Sequence, residues 1–118
     1  MTDYQVTTEN QFDDIISGLQ SDGGHALALF TAPTWCIPCR RFESHWVKAQ
    51  EVLDTYVFLK VDMGEEPEDT GRHWATNRYS ILGVPSVKLF LPGLEVTDIK
   101  ARAVVPFIKE VNEYARRV

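Results

Sequence analysis

Cys36 and Cys39 are the only cysteines in this 118-residue chain, and they sit as C-x-x-C inside Trp35-Cys36-Ile37-Pro38-Cys39. Thiols this close can cycle between a dithiol and a disulfide, or supply half of a four-ligand structural zinc site. The histidines do not complete a zinc site: His25, His45 and His73 are scattered, with no H-x-x-x-H pair. Nor can two cysteines build a disulfide framework. The pair is therefore read as redox-active, with no metal and no cofactor beyond its own disulfide. In that chemistry the Cys36 thiolate attacks a substrate disulfide and forms a mixed disulfide. Cys39 then attacks Cys36, the substrate leaves as a dithiol, and Cys36–Cys39 remains oxidised.

Such exchange needs a thiol that ionises near neutral pH. Free cysteine has a pKa near 8.5, brought to roughly 3.5–7.5 by a helix N-terminus or adjacent cations. The motif follows an apolar run of strand length and opens a helical pattern. Cys36 thus falls where backbone N–H groups are unpaired and the helix dipole is positive. Arg40 and Arg41 add positive potential. Cys39, three residues on, faces Cys36 and begins the apolar stripe of the helix. Cys36 is the expected nucleophile, exposed at the helix start, and Cys39 the resolving thiol. Pro38 suits a first turn that needs no N–H there.

The surrounding elements follow from periodicity. Tyr4–Val6 reads as a short edge strand and Thr8 as an N-cap. Phe12, Ile15, Ile16 and Leu19 lie on one helical face. His25–Thr31 is nearly continuous in apolar residues, as a strand buried on both faces would be. A helix from about Cys36 to Asp54 carries the stripe Cys39, Phe42, Trp46, Ala49 and Leu53. Val57–Val61 is a second buried strand. Pro67 starts a further helix with Trp74 on its inner face. Ser86–Leu91 and Glu95–Lys100 pair about a Pro92-Gly93 turn. The last helix begins near Val104, with Phe107, Ile108, Val111, Tyr114, Ala115 and Val118 on its apolar side. The order β-α-β-α-β-α-β-β-α predicts an α/β layer structure with a mixed sheet.

Hydrophobic residues make up 44% and charged residues 25%, enough for one domain over residues 1–118 with its own core. The net charge of −5 argues against nucleic acid as a partner. No apolar run is long enough to span a membrane. The polar start MTDYQVTTENQF lacks a signal-peptide pattern, so a reducing cytoplasm and a monomer are the expectations.

Trp35-Cys36-Ile37-Pro38-Cys39, with Val84-Pro85-Ser86 some way downstream, resembles the thioredoxin family over nearly the whole chain. The resemblance implies a thioredoxin fold, a central mixed β-sheet of about five strands flanked by about four helices. The N-terminal β-α unit favours thioredoxin over glutaredoxin. The resemblance further implies a cis Val84–Pro85 bond against the cysteines and a substrate segment paired with the backbone of Val84. Trp35 would flank that docking surface, and Ile37, an apolar branched side chain beside the sulfurs, narrows which substrates fit. The implied activity is protein disulfide reduction, with protein disulfides as substrates and an upstream dithiol reductase, such as a thioredoxin reductase, as electron source. Two alternatives stay open: a binding module or assembly subunit with incidental turnover, and a glutathione-linked, glutaredoxin-like reductase.

The chain departs from the family at several points. Ile37 stands where the family usually has glycine. Ser44 replaces a kinking proline, which implies a straighter helix. The stretch from Asp62 to Ser86 is longer than usual. The family's buried aspartate and its lysine partner align here with Phe30 and Phe58. A desolvated Cys39 without that base should hold its proton more tightly. Glu43, one turn beyond Cys39, is the candidate substitute because helical side chains lean toward the N-terminus.

Overall fold

The computed structural model describes residues 2–93 and 95–116. Five strands and four α-helices alternate: β1 (Thr2–Val6), α1 (Glu9–Ser21), β2 (Ala26–Thr31), α2 (Ile37–Val52), β3 (Val57–Asp62), α3 (Trp74–Arg78), β4 (Ser86–Phe90), β5 (Val96–Ile99) and α4 (Val104–Ala115). The sheet order is β1-β3-β2-β4-β5. β1 and β2 run parallel to β3, whereas β4 runs antiparallel to β2 and to β5. The β2 run is central and buried along its whole length, which is why it shows no polar alternation.

The local signals act as physics requires. The Thr8 hydroxyl accepts the Gln11 N–H and starts α1. Gly93 takes a positive φ of 87° in the hairpin turn, a conformation that costs glycine little. Pro67 opens a 3₁₀ helix, Pro67–Arg72, rather than the α-helix expected there. Its Glu66–Asp69 capping box holds one tight turn, and helix resumes only after His73. The helix expected from Cys36 starts one residue later, with Cys36 as its N-cap, and ends at Val52. Val118, assigned to the last apolar face, lies outside the described residues.

Two cores form, one on each side of the sheet. Leu27, Leu29, Phe58, Val87 and Leu89 meet Phe42, Trp46 and Ala49 of α2 and Phe107 and Val111 of α4. On the other side Ala28, Phe30, Leu59, Val61 and Phe90 meet Phe12 and Ile16 of α1. Phe12 sits amid Phe30, Trp74, Tyr79 and Phe90, with ring centroids 5.4–6.1 Å apart.

This division corrects one expectation. Phe30 and Phe58 face opposite cores, so they cannot together occupy the seats of one buried ion pair. The cross-strand partners on the α2 side are Leu29 and Lys60. Beneath α2, β3 thus carries a lysine with an apolar residue across from it.

His73 caps α3 by accepting the Ala75 N–H at Nδ1, 3.1 Å away. Burial lowers its pKa, while Asp62 pulls the other way. Between that lowered value and the ordinary one near 6.5, the unfolded chain binds a proton that the folded chain refuses. Stability is thus full above about pH 6.5 and falls as pH drops toward the folded value. We expect the urea midpoint to fall between about pH 7 and about pH 5.5, and His73→Asn, which keeps a capping acceptor, to flatten that fall. Equal falls in both proteins would assign the effect to other groups.

Candidate active site

The turn from β2 into α2 is built by backbone geometry. The Ala32 carbonyl accepts the N–H groups of Trp35 at 3.3 Å and Cys36 at 2.9 Å. Arg40 pins this turn from the helix: its Nε donates to the Pro33 carbonyl at 2.6 Å and its Nη2 to the Thr34 carbonyl at 2.5 Å. The guanidinium therefore holds the loop that presents Cys36, besides adding charge. Pro38 lies in the first turn of α2, exposed to solvent.

Cys36 is extended, with φ −96° and ψ 108°, and caps α2 with its own sulfur. The Cys39 N–H donates to Cys36 Sγ at 3.2 Å. The two cysteines are joined as a disulfide with a Cα–Cα distance of 5.2 Å, within the ordinary span. Cys36 is not exposed as expected. It is 4% accessible, against 1% for Cys39. Both sulfurs belong to a small cluster with Ala32, against which Trp35 and Val84 pack. The Val84 carbonyl oxygen lies 3.7 Å from Cys36 Sγ. In the disulfide that sulfur carries no proton, so this is a contact; a reduced thiol there could donate to the carbonyl.

Val84–Pro85 is cis, and both residues are half-buried. The Ser86 hydroxyl donates to the Gly83 carbonyl at 2.6 Å and closes the loop. Ile37, the first residue of α2 and next to Cys36 in the chain, is 56% exposed, and Leu82, two residues before Val84, is 99% exposed. The structure thus brings together Trp35, Cys36, Cys39 and Val84, with Ile37, Pro38 and Pro85 alongside.

Glu43 is placed differently. Its carboxylate pairs with Lys60 Nζ, and among the described residues it makes no hydrogen bond to Cys39. Leu29, the cross-strand partner of Lys60, offers no charge, and the Lys60 ammonium has its counter-ion on the helix. Glu43 is thus held by Lys60 in the oxidised protein.

Two residues missed in the sequence shape the site. Arg102, between β5 and α4, donates Nη2 to the Pro85 carbonyl at 3.2 Å and Nη1 to those of Ile99 and Ala101 at 2.6 and 3.0 Å. Its guanidinium lies over the Phe42 ring, 5.5 Å from the centroid. Burial lowers its pKa, with Glu110 and Asp98 opposing, and an arginine remains charged regardless. His45, on α2, is half-buried. Its Nδ1 accepts the Val104 N–H at 3.1 Å, so α2 supplies the cap that Ala103 cannot give to α4. Neither role leaves a mark in local sequence. Among the described residues no group of three or more histidine, cysteine or acidic side chains is placed to hold a metal ion.

Residues 3–111 match the family model for thioredoxin. The chain belongs to the thioredoxin family. It is 30% identical over 94 residues to thioredoxin 1 of Plasmodium falciparum, a match covering 80% of each chain. It is 30% identical over 71 residues to a thioredoxin H-type protein of Populus jackii, covering 60% of this chain and 50% of that one. The chain thus spans about half the length of that thioredoxin. The crystal structure of a poplar thioredoxin h superposes with a TM-score of 0.76 at 20% identity, over 97% of this chain and 96% of that one. That likeness is one of fold, the thioredoxin fold. The cis Val84–Pro85 bond and the C-x-x-C disulfide stand together on that fold. No helix among the described residues is long and apolar enough to cross a membrane.

Proposed function

We propose that this chain is a thiol–disulfide oxidoreductase that reduces protein disulfides through a reversible Cys36–Cys39 pair. The observation that carries the reading is the Cys39 N–H aimed at Cys36 Sγ from the first turn of α2. A hydrogen bond from a helix N-terminus favours a thiolate over a thiol, and so makes Cys36 a nucleophile at neutral pH. In the reduced protein that thiolate attacks one sulfur of a client disulfide, and the client's other sulfur leaves as a thiolate. Cys39 loses its proton and attacks Cys36 Sγ, which expels the client's second thiolate. Two electrons have moved to the client, and the protein ends in the oxidised form seen here.

Trp35, Ile37, Val84 and Pro85 are the proposed client-contacting residues. The proximity of the Val84 carbonyl to Cys36 Sγ supports a client strand pairing with the Val84 backbone while its sulfur meets Cys36. Pro38 and Arg40 support the geometry from the helix and the loop. An upstream dithiol reductase, such as a thioredoxin reductase, would restore the dithiol. A reducing compartment such as the cytoplasm is where such a donor works, and a monomeric single domain suffices for it.

Cys39→Ser tests the order of events. The variant keeps the nucleophile and lacks the group that releases the client. It is expected to accumulate a stoichiometric mixed disulfide with a disulfide-bonded client protein, read as a mass increase that dithiothreitol reverses. A trapped adduct in Cys36→Ser, and none in Cys39→Ser, would reverse the assigned roles.

A further inference from the structure

A second feature lies beside the sulfurs. Pro38, Arg41, Phe42, His45, Pro85 and Arg102 line a groove of about 270 Å³. Its apolar lining comes from the buried Phe42 and from Pro38 and Pro85, the neighbours in the chain of Cys39 and Val84. Its polar groups are all basic: two guanidiniums and an imidazole. His45 uses Nδ1 for the Val104 N–H, so its remaining ring nitrogen is Nε2.

The two arginines are not neutralised within the chain. Among the described residues neither Arg41 nor Arg102 forms an ion pair. The hydrogen bonds of Arg102 go to three backbone carbonyls. The carboxylates that act on it from a distance are engaged elsewhere. Glu110 accepts the Lys100 and Ala101 N–H groups, and Asp98 pairs with Lys88. In a chain of net charge −5, a basic groove touching Pro38 and Pro85 stands out from its surroundings.

We infer that this groove recognises an acidic side chain of the client, an aspartate or glutamate within a few residues of the cysteine that meets Cys36. The inference rests on the reductase reading above and adds to it a preference for client sequence. An extended client segment advances about 3.3 Å per residue. A side chain one to three positions from its cysteine can therefore leave the sulfur and lie across Pro38 and Pro85. Its methylenes would cover Phe42 and the prolines, and its carboxylate would meet Arg41 and Arg102. Arg102 is already held in place by three carbonyls and an aromatic face, so binding orders little more of it. Charge-assisted hydrogen bonds to a preset guanidinium are among the stronger polar contacts.

The test uses two disulfide-bonded peptides identical except for one residue, glutamate or glutamine, placed two positions from the cysteine. Each is made with that residue before and after the cysteine. The readout is the ratio of kcat/KM for the glutamate and glutamine forms, with wild-type protein and with Arg41→Gln and Arg102→Gln. General damage to folding or chemistry lowers both rates and leaves the ratio alone. Arg41 is exposed and among the described residues its side chain makes no hydrogen bond, so Arg41→Gln stands if Arg102→Gln folds poorly. We expect wild type to favour glutamate by about tenfold at low ionic strength in one of the two placements. Added salt and each variant should reduce that preference. Equal rates for the two peptides in both placements overturn the inference and leave the reductase reading intact. A glutamate preference that neither variant reduces removes the groove as its cause. If wild type turns over neither peptide nor any protein disulfide, the underlying reading falls and the inference with it.

Discussion

Cys36→Ser is expected to reduce a model protein disulfide no faster than dithiothreitol alone. The serine hydroxyl fits the N-cap position and can accept the same Cys39 N–H, so the helix start and the fold should survive. The loss is chemical. A hydroxyl is not ionised at neutral pH and forms no bond to a client sulfur that Cys39 could later break. Cys39 offers no rescue, because it is 1% accessible and lies on the buried stripe of α2. The effect is thus loss of turnover with a near-normal unfolding midpoint, and the two measurements belong together. Full turnover by Cys36→Ser would remove the mechanism proposed for this chain. Loss of both turnover and midpoint would show only that the protein had unfolded, and Cys36→Ala, assayed the same way at a temperature where it is folded, would then decide.

Trp46→Ala should give the largest loss of stability. Trp46 is 1% accessible and ties three elements together. Its ring stands edge-on to Phe58 of β3 at 5.1 Å and to Phe107 of α4 at 6.3 Å, with Phe42 of its own helix 6.2 Å away. Truncating a buried tryptophan to alanine costs about 3–5 kcal/mol, a large share of the roughly 5–15 kcal/mol that holds a domain together. Trp46→Phe should cost much less, for a specific reason. Among the described residues the indole Nε1 has no hydrogen-bond partner in the chain, so phenylalanine gives up no internal hydrogen bond and keeps most of the aromatic packing. Urea unfolding followed by far-ultraviolet circular dichroism checks both. A cost below about 1 kcal/mol for Trp46→Ala would show that the α2–α4 core is not where this fold is held.

The signals that could be read along the chain were those completed within a few residues. The stripe Phe42, Trp46, Ala49, Leu53 repeats at helical spacing, and all four are buried. Thr8 caps the residues that follow it. Trp35-Cys36-Ile37-Pro38-Cys39 with Val84-Pro85 marked the site, and the cis bond was implied by that pairing. What could not be read depends on contacts between distant segments. Because β2 is apolar on both faces, nothing in it tells one face from the other, and counting back from the motif could not show that Phe30 and Phe58 fall on opposite sides of the sheet. The shielding of Cys36 comes from Val84, on a loop far along the chain. Arg102 reaches Pro85 only because the β4–β5 hairpin returns the chain to the start of β4. His45 caps a helix other than its own. Glu43 turned toward a lysine on β3, a choice made by register rather than by helical spacing.

The near-complete enclosure of Cys36 has a kinetic meaning. Small free thiols diffusing past meet a bond with almost no open face, whereas a client docked as proposed along Val84 would deliver its sulfur by a fixed approach. Docked encounters would then exchange electrons faster than collisions with low-mass thiols, dithiothreitol included. Insulation of this kind keeps a redox carrier out of equilibrium with its bath while it still exchanges rapidly with chosen proteins.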